Sequence, residues 1–213
     1  MRARFQSHSI GKSAKDTQMC NWPDPVTLTG THAVLEPLGP NHCADLREAA
    51  ADGDLHRLWY TTIPAPDEME AEIARRCSLP TMLPFAIIAR SSGRAVGMTT
   101  YMNIDAIHRR VEIGSTWYRR AVQRGPLNTE CKLMLLTHAF ETLDCIAVEF
   151  RTHYLNHQSR GAIERLGAKL DGILRAHSVM PNGSVRDTAV YSIIAPEWPA
   201  VRAHLRWQME RPR

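Results

Sequence analysis

The sequence predicts an α+β fold, a mixed sheet with helices on its faces, and three observations support it. Two pairs of apolar strands flank turn-forming residues at Ser91–Arg94 and at Pro181–Gly183, which predicts two hairpins. Residues Arg110–Tyr118 have the side-chain alternation of a strand. The segment Asn128–Leu143 is so apolar that it predicts a largely buried helix. The predicted order along the chain is β, α, α, β, β, β, α, β, α, β, β, α.

The first half contains one strand, two helices and the first hairpin. Pro37, Gly39 and Pro40 end the opening strand, and Asn41 is the expected N-cap of the helix that follows. The second helix has acidic residues early and Arg75–Arg76 late, the order that complements the helix dipole. The predicted elements are strand Val26–Leu38, helix His42–Ala51, helix Asp67–Ser78, strand Phe85–Ala89 and strand Ala95–Met102.

The second half begins with the alternating strand. Regular alternation assigns Val111, Ile113, Ser115 and Trp117 to one face, and Glu112, Gly114, Thr116 and Tyr118 to the other. Gly167 is the expected C′ residue of the last helix before the second hairpin. The elements after the buried helix are strand Ile146–Phe150, helix Asn156–Leu166, strands Leu170–Met180 and Val185–Ile194, and helix Glu197–Met209.

Length and composition describe an ordinary globular chain. Its 213 residues suffice for one domain, predicted over residues 25–213, and residues 1–24 lack apolar periodicity and are predicted to be a flexible leader. The five cysteines form no C-x-x-C pair, and no apolar run is long enough for a signal peptide or a membrane span. We therefore expect a cytoplasmic protein with reduced thiols and no membrane partner.

The charge balance is mildly basic, with a formal net charge of +4 and a pI of about 8.9. This suits an anionic ligand such as a nucleotide cofactor. The basic residues are scattered rather than clustered, so no nucleic-acid partner is expected. Ten histidines are present, but no His-Glu-x-x-His motif occurs, so no metal site is predicted.

The junction from Tyr118 to Asn128 is the most informative segment for function. A strand runs into a loop that contains Gly125, and a buried helix begins directly after it. Free backbone N–H groups and the helix dipole at such a junction form a cradle for phosphate. A glycine-containing strand–loop–helix junction is common, and by itself it fits an ordinary turn better than a phosphate site.

Three segments in succession carry a family resemblance. They are Glu112–Trp117, Gln123–Lys132, and Asn156–Ser159 with Glu164–Ala168. This succession resembles the GNAT superfamily of acetyltransferases, in particular its RimJ/RimL branch of ribosomal-protein N-acetyltransferases. The resemblance implies a mostly antiparallel twisted sheet of about seven strands with helices on both faces. It also implies acetyl-CoA as co-substrate and an amine acceptor, either a protein N-terminus or a small amine or amino acid. The family often forms homodimers, and the sequence leaves the oligomeric state open.

The resemblance assigns roles to individual residues. The family's phosphate loop falls on Gln123–Asn128, and Pro126 stands there in place of the usual glycine, which removes one backbone donor. The same proline suits the first turn of a helix, where that N–H would be free anyway. The implied cofactor-binding residues are Ser115, Thr116, Trp117, Gln123, Arg124, Gly125, Leu127, Asn128, Thr129, Asn156 and Ser159.

Two catalytic roles follow from the resemblance and from amine chemistry. Ser159 would steady or protonate the departing thiolate, and Asn156 would bind the pantetheine arm, although Asn156 also fits a plain N-cap. An amine is mostly protonated near neutral pH and needs a base, for which Glu112 is the candidate, with His177 and Asp187 as alternatives. An ion-paired Glu112 near Arg110 is an equally good interpretation.

Two further hypotheses compete with the enzyme. One is a non-catalytic acyl-CoA-binding or interaction module of the same fold, which the unusual Pro126 and the uncertain base favour. The other is an RNA- or ribosome-associated factor, which rests only on the mild basicity. The cysteines Cys131 and Cys145 lie in predicted buried elements, so we interpret them as packing residues rather than nucleophiles.

Overall fold

A computed structural model describes residues 22–211, in which eight strands and five α-helices are present. The strands are β1 (Leu28–Thr29), β2 (Ala33–Pro37), β3 (Leu83–Ala89), β4 (Arg94–Asp105), β5 (Arg110–Tyr118), β6 (Ala147–His153), β7 (Lys169–Val179) and β8 (Val185–Ile194). The helices are α1 (Cys43–Ala51), α2 (Met69–Ser78), α3 (Leu127–Thr137), α4 (His157–Glu164) and α5 (Trp198–Glu210).

All eight strands form one open sheet in the order β1-β2-β3-β4-β5-β6-β8-β7. Every neighbouring pair is antiparallel except β5 and β6, which run parallel. This confirms the predicted α+β class with a mostly antiparallel sheet. Both predicted hairpins are present, and Gly93 and Gly183 in their turns have φ values of +67° and +80°.

Helices cover both faces of the sheet, so there are two hydrophobic cores. Phe85 and Ile87 of β3 belong to the larger core, which includes residues of α3, α4 and α5. Ala86, between them, belongs to the second core with residues of α1 and α2. Successive strand residues point to opposite faces, so a strand between two helical layers is apolar along its whole length, as β3 is.

The predicted strand Val26–Leu38 is two strands, which corrects the prediction of a single one. The chain turns between β1 and β2, and Glu130 of α3 accepts the backbone N–H groups of Thr31, His32 and Ala33 at 2.7, 2.7 and 2.9 Å. A Cβ added to Gly30 would lie 2.5 Å from the Glu130 carboxyl carbon, so a larger residue here would displace the carboxylate from this turn. The carboxylate comes from a distant helix, and a local pattern could not reveal it.

Two helix ends also differ from the predictions. Asn41 is not an N-cap, because Pro40–His42 form a 3₁₀ turn in which the His42 ring accepts the N–H of Gly39 at 3.1 Å. The predicted helix Asn128–Leu143 changes after Thr137 into a π-helical turn, His138–Thr142.

The buried Tyr101 lies at this change of helix type. It donates its hydroxyl to the carbonyl of Leu135 at 2.6 Å, and a side chain that competes for a helical carbonyl is a known cause of such irregularity. At the other predicted helix end, Gly167 follows α4 with a φ of +96°, which confirms it as the left-handed stop.

The predicted leader, residues 1–24, lies outside the described residues except for its last three. Of these, Trp22 packs against the larger core and Pro23 is buried. Between residues 22 and 211, no helix combines the length and apolar character needed to cross a bilayer.

Candidate active site

The sheet opens between its two parallel strands. Residues Arg110–Glu112 of β5 pair with Ala147–Glu149 of β6, and the two strands then diverge. In the described part of the chain, β5 has no strand partner on this side beyond Glu112. Its edge borders a cavity of about 930 Å³. Backbone N–H and C=O groups at such an edge need hydrogen-bond partners, so the divergence provides a site for an extended ligand.

A bulge at Ser115 shapes this edge. Ser115 has a φ of +47°, and the pairing with β4 shifts there, from Thr100 opposite Gly114 to Met98 opposite Trp117. The Ser115 carbonyl accepts a hydrogen bond from Arg76 of α2 at 3.2 Å. Arg76 is 2% exposed. Glu72 balances its charge at 2.6 Å, so the buried guanidinium holds the bulge in place.

The bulge reverses the alternation of β5, which corrects the predicted faces. Val111 and Ile113 pack in the larger core, whereas Trp117 packs with α1 and α2 in the second core. Thr116 bonds Lys132 of α3 at 2.7 Å and does not share the face of Glu112. An extra residue in one strand moves every later side chain to the opposite face.

The N-terminus of α3 forms one end of the cavity. The Pro126 carbonyl accepts the first helical hydrogen bond, from Glu130 N at 3.0 Å, so the N–H groups of residues 127–129 precede the helical ladder. Pro126 itself is the N-cap residue. Proline has no backbone N–H, but Pro126 precedes these three donors, so it removes none of them. Arg124, with a φ of +60°, makes the left-handed turn that leads into the helix.

Ten of the eleven predicted cofactor-binding residues line this cavity. They are Ser115, Thr116, Trp117, Gln123, Arg124, Gly125, Asn128, Thr129, Asn156 and Ser159. The side chain of the remaining one, Leu127, is buried in the larger core. The predicted set is therefore brought together from β5, α3 and α4, with Leu127 able to contribute only its backbone.

Asn156 is the N-cap of α4. Its side-chain oxygen accepts the N–H of Ser159 at 3.0 Å, as the capping interpretation predicts. The amide nitrogen of Asn156 and the hydroxyl of Ser159 have no hydrogen-bond partner among residues 22–211, and both residues line the cavity. Capping uses only the side-chain oxygen of Asn156, so its NH₂ group can still donate to a ligand.

Glu112 is 6% exposed and also lines the cavity. It accepts a hydrogen bond from Asn103 at 2.7 Å and lies 3.5 Å from Arg151, not beside Arg110. Burial raises the pKa of Glu112, and Asn103 and Arg151 partly offset this rise. A raised pKa brings a carboxylate closer to the range in which it accepts a proton efficiently.

The two alternative bases lie in different places. His177 lines the cavity, with its Nδ1 3.0 Å from the hydroxyl of Thr188. Asp187 is outside the cavity lining and accepts from Ala176 N at 2.7 Å and from Arg175 at 2.6 Å. The backbone N–H of Ala176 contributes most to lowering the pKa of Asp187, which makes it a weaker base.

The sequence interpretation missed Lys132. Lys132 is 6% exposed, and its ammonium group donates to Thr116 at 2.7 Å and to Thr99 at 3.3 Å. Burial lowers the pKa of Lys132 to about 8. The available signal was a lysine inside an otherwise apolar helix, four residues after Asn128 and hence on the same helix face.

Three buried polar groups in the cavity wall lack hydrogen-bond partners among the described residues. They are the indole N–H of Trp117, the hydroxyl of Tyr118 and the Nε2 of His153. The wall is also strongly cationic, with Glu112 as its one carboxylate in the described chain. The cationic lining residues are Arg76, Arg124, Lys132, Arg151, Arg165, Arg186 and Arg211. Orphaned donors and excess positive charge indicate a polar, anionic ligand.

The two buried cysteines, Cys131 and Cys145, do not belong to this chemistry. Cys131 and Cys145 are buried, and burial raises the pKa of each thiol to about 12. A thiol in this state is a poor nucleophile. Within residues 22–211, no three side chains of His, Cys, Asp or Glu converge as metal ligands would.

The sequence of the chain matches a known protein family. A model of the Acetyltransferase (GNAT) domain matches residues 32–169, a range that contains β5, the diverging strands, α3 and α4. The chain belongs to the GNAT acetyltransferase family. This confirms the resemblance on which the sequence interpretation depended.

Several relatives of this GNAT chain are known. It is 31% identical over 106 residues to "Putative ribosomal N-acetyltransferase YdaF" of Bacillus subtilis (strain 168), and the match covers 50% of this chain and 57% of that protein. The chain thus spans little more than half the length of this curated relative. A GCN5-related N-acetyltransferase from Brucella melitensis has 30% identity and a TM-score of 0.81, over 88% of this chain and 86% of that one. Mycobacterium smegmatis RimJ in complex with CoA-disulfide has the same fold, with 22% identity and a TM-score of 0.72 over 88% and 96% of the two chains.

Proposed function

We propose that this GNAT protein is an N-acetyltransferase that transfers an acetyl group from acetyl-CoA to a primary amine. The observation that carries the proposal is the divergence of β5 and β6 directly beside the N-terminus of α3. An unpaired strand edge and a cradle of helical N–H groups lie in one cavity. They match a ligand with an amide-containing arm and a diphosphate.

The residues of the cavity fit such a co-substrate. The N–H groups of residues 127–129 and the side chain of Arg124 would bind the diphosphate. The edge of β5 around Ser115 and the amide of Asn156 would bind the pantetheine arm. The structural relative RimJ contains a CoA-disulfide, which agrees with this assignment.

Bound acetyl-CoA supplies a thioester carbonyl that a neutral amine can attack without a covalent enzyme intermediate. Glu112 accepts the proton that the amine must lose. A backbone N–H of β5 polarises the carbonyl oxygen, as donors of an oxyanion hole do. Ser159 lies at the start of α4 with its hydroxyl available to the departing sulfur. The high pKa of Cys131 and Cys145 excludes these thiols as competing nucleophiles.

A thiol-release assay with a range of acceptors tests the proposal. Free thiol released from acetyl-CoA is measured across small amines, amino acids and peptides with free N-termini. We expect release above background with at least one acceptor. The ion pair between Glu112 and Arg151 favours one alternative, a binding module without turnover, because a paired carboxylate is a poorer base. Tight CoA binding without thiol release from any acceptor would establish that alternative and refute the enzyme.

Asn156 allows the binding and capping roles to be separated. Replacing Asn156 with serine keeps a capping oxygen but removes the amide donor, whereas alanine removes both. We expect both variants to raise the dissociation constant of CoA about fivefold to tenfold in titration calorimetry, which corresponds to one lost hydrogen bond. Only Asn156→Ala should also lose about 1 kcal/mol of stability in urea unfolding. An unchanged CoA affinity in both variants would mean that Asn156 is a cap alone.

A further inference from the structure

Several cations of the cavity form no ion pair among residues 22–211. Lys132 and Arg165 donate to neutral side chains, and Arg211 lies over the Trp207 ring. Arg76 is paired with Glu72, and Arg151 with Glu149 and Glu112. Arg186 donates its Nε to the hydroxyl of Thr188 at 2.9 Å and forms no ion pair among residues 22–211. Its guanidinium is part of the cavity wall, and the fork of two terminal nitrogens has no acceptor within the described chain. An arginine fork of this kind matches a carboxylate.

His153 provides a second unused donor in the same region. It is 4% exposed, and its Nδ1 accepts the backbone N–H of Leu155 at 3.1 Å. The proton of the neutral ring therefore lies on Nε2, which has no acceptor among residues 22–211. The edge of the Trp59 ring packs against this imidazole, with the ring centroids 5.3 Å apart. A buried hydrogen-bond donor without an acceptor destabilises the folded protein, and a bound ligand that supplies the acceptor removes this cost.

The two donors converge because β6 and β8 are neighbours. His153 is opposite Thr188 in the ladder, and the hydroxyl of Thr188 accepts from Arg186. Arg186 and Thr188 are two residues apart on β8, so their side chains point to the same face of the sheet. Glu112 of β5 lines the same cavity as both donors. One carboxylate and a pair of donors thus line the same cavity.

We propose that the acceptor is a primary amine that carries a carboxylate. In this arrangement, Arg186 and His153 bind the carboxylate and Glu112 faces the amine. The inference rests on the proposed N-acetyltransferase function and specifies its substrate class. The carboxylate belongs either to a free amino acid or to an acidic residue near a peptide N-terminus, and both sources present the same group to the same donors.

The test compares acceptors in pairs that differ only in one charge. One pair is an amino acid and its carboxamide, and the other is a peptide with aspartate at its second position and the same peptide with asparagine. For at least one pair, we expect kcat/KM of the wild-type protein to be about tenfold higher for the carboxylate member. The pair that shows the preference identifies the source of the carboxylate.

Arg186→Gln should reduce that preference to about twofold, because it lowers kcat/KM more for the carboxylate member than for the neutral member. His153→Gln should reduce it less, because a neutral donor is replaced by another. Arg186→Lys serves as the matched control, since it keeps the charge but loses the fork and should retain part of the preference. The dissociation constant of CoA should be the same in all these variants.

Three results would overturn the inference. The first is an equal rate on both members of each pair in the wild-type protein. The second is an equal loss on both members in Arg186→Gln, which would assign Arg186 to tuning Glu112. The third is a CoA dissociation constant raised about tenfold in Arg186→Gln, which would assign the fork to a cofactor phosphate. The absence of acetylation with every amine would refute the N-acetyltransferase function itself, and with it this substrate class.

Discussion

Replacing Glu112 with glutamine is expected to lower kcat by about 10²–10⁴-fold, the range that a positioned general base contributes. Glutamine has nearly the same shape and keeps an oxygen for Asn103, but it cannot accept a proton from the amine. The affinity for CoA should not change, because the diphosphate site that we propose lies at the N-terminus of α3. Steady-state kinetics and CoA titration of the same protein samples check both expectations.

The pH dependence of kcat/KM shows whether the Glu112 carboxylate is the group that accepts the proton. A carboxylate base must be ionised, so kcat/KM of the wild-type protein falls as the pH drops through the pKa of Glu112. Burial raises that pKa, so the fall occurs at a higher pH than for a glutamate in water. In Glu112→Gln this part of the profile should disappear, and the titration of the amine itself should remain.

Asp187→Asn is the matched control for Glu112→Gln, since it neutralises a carboxylate outside the cavity lining. We expect nearly wild-type kcat from it. A normal rate in Glu112→Gln together with a large loss in Asp187→Asn would reverse the assignment of the base.

Replacing Glu130 with alanine is expected to cost about 3 kcal/mol in the free energy of unfolding. The Glu130 carboxylate accepts three successive backbone N–H groups in the turn between β1 and β2, and alanine leaves all three without this acceptor. Water can reach the exposed Thr31 and His32, but Ala33 is buried. Urea denaturation measures the loss. Glu70→Ala, at a helical glutamate whose side chain is 82% exposed, should change stability by less than about 0.5 kcal/mol.

Gly30→Ala tests the contact between residue 30 and the Glu130 carboxylate by changing residue 30 instead of Glu130. A methyl group at Gly30 would displace the Glu130 carboxyl from its three donors, so this variant should lose at most the roughly 3 kcal/mol expected for Glu130→Ala. In the Glu130→Ala background the obstacle is absent, and the added cost should largely disappear. A purely additive double-mutant cycle would show that the two residues are not coupled.

The sequence by itself determined most of the secondary structure and the segments that line the cavity. Hydrophobic periodicity and turn residues report local burial, which is why both hairpins, the buried helix α3 and the stop at Gly167 were predicted. The family could be predicted from the segment between Glu112 and Ala168, because its three motifs follow one another in the same order as in the GNAT superfamily. Leu127 was the exception among the predicted ligand contacts, since its side chain belongs to the core.

Only the tertiary structure decided how these segments meet. The bulge at Ser115 depends on a buried arginine 39 residues earlier, and it reversed the predicted faces of β5. The division of the first strand depends on Glu130, which lies 99 residues from Thr31. Arg186 and His153 come together only because β8 pairs with β6. Periodicity measures how each residue is buried within its own element. It carries no information about which distant side chain satisfies a given backbone group or charge, and the wall of this cavity around Arg186 and His153 is built from such distant contacts.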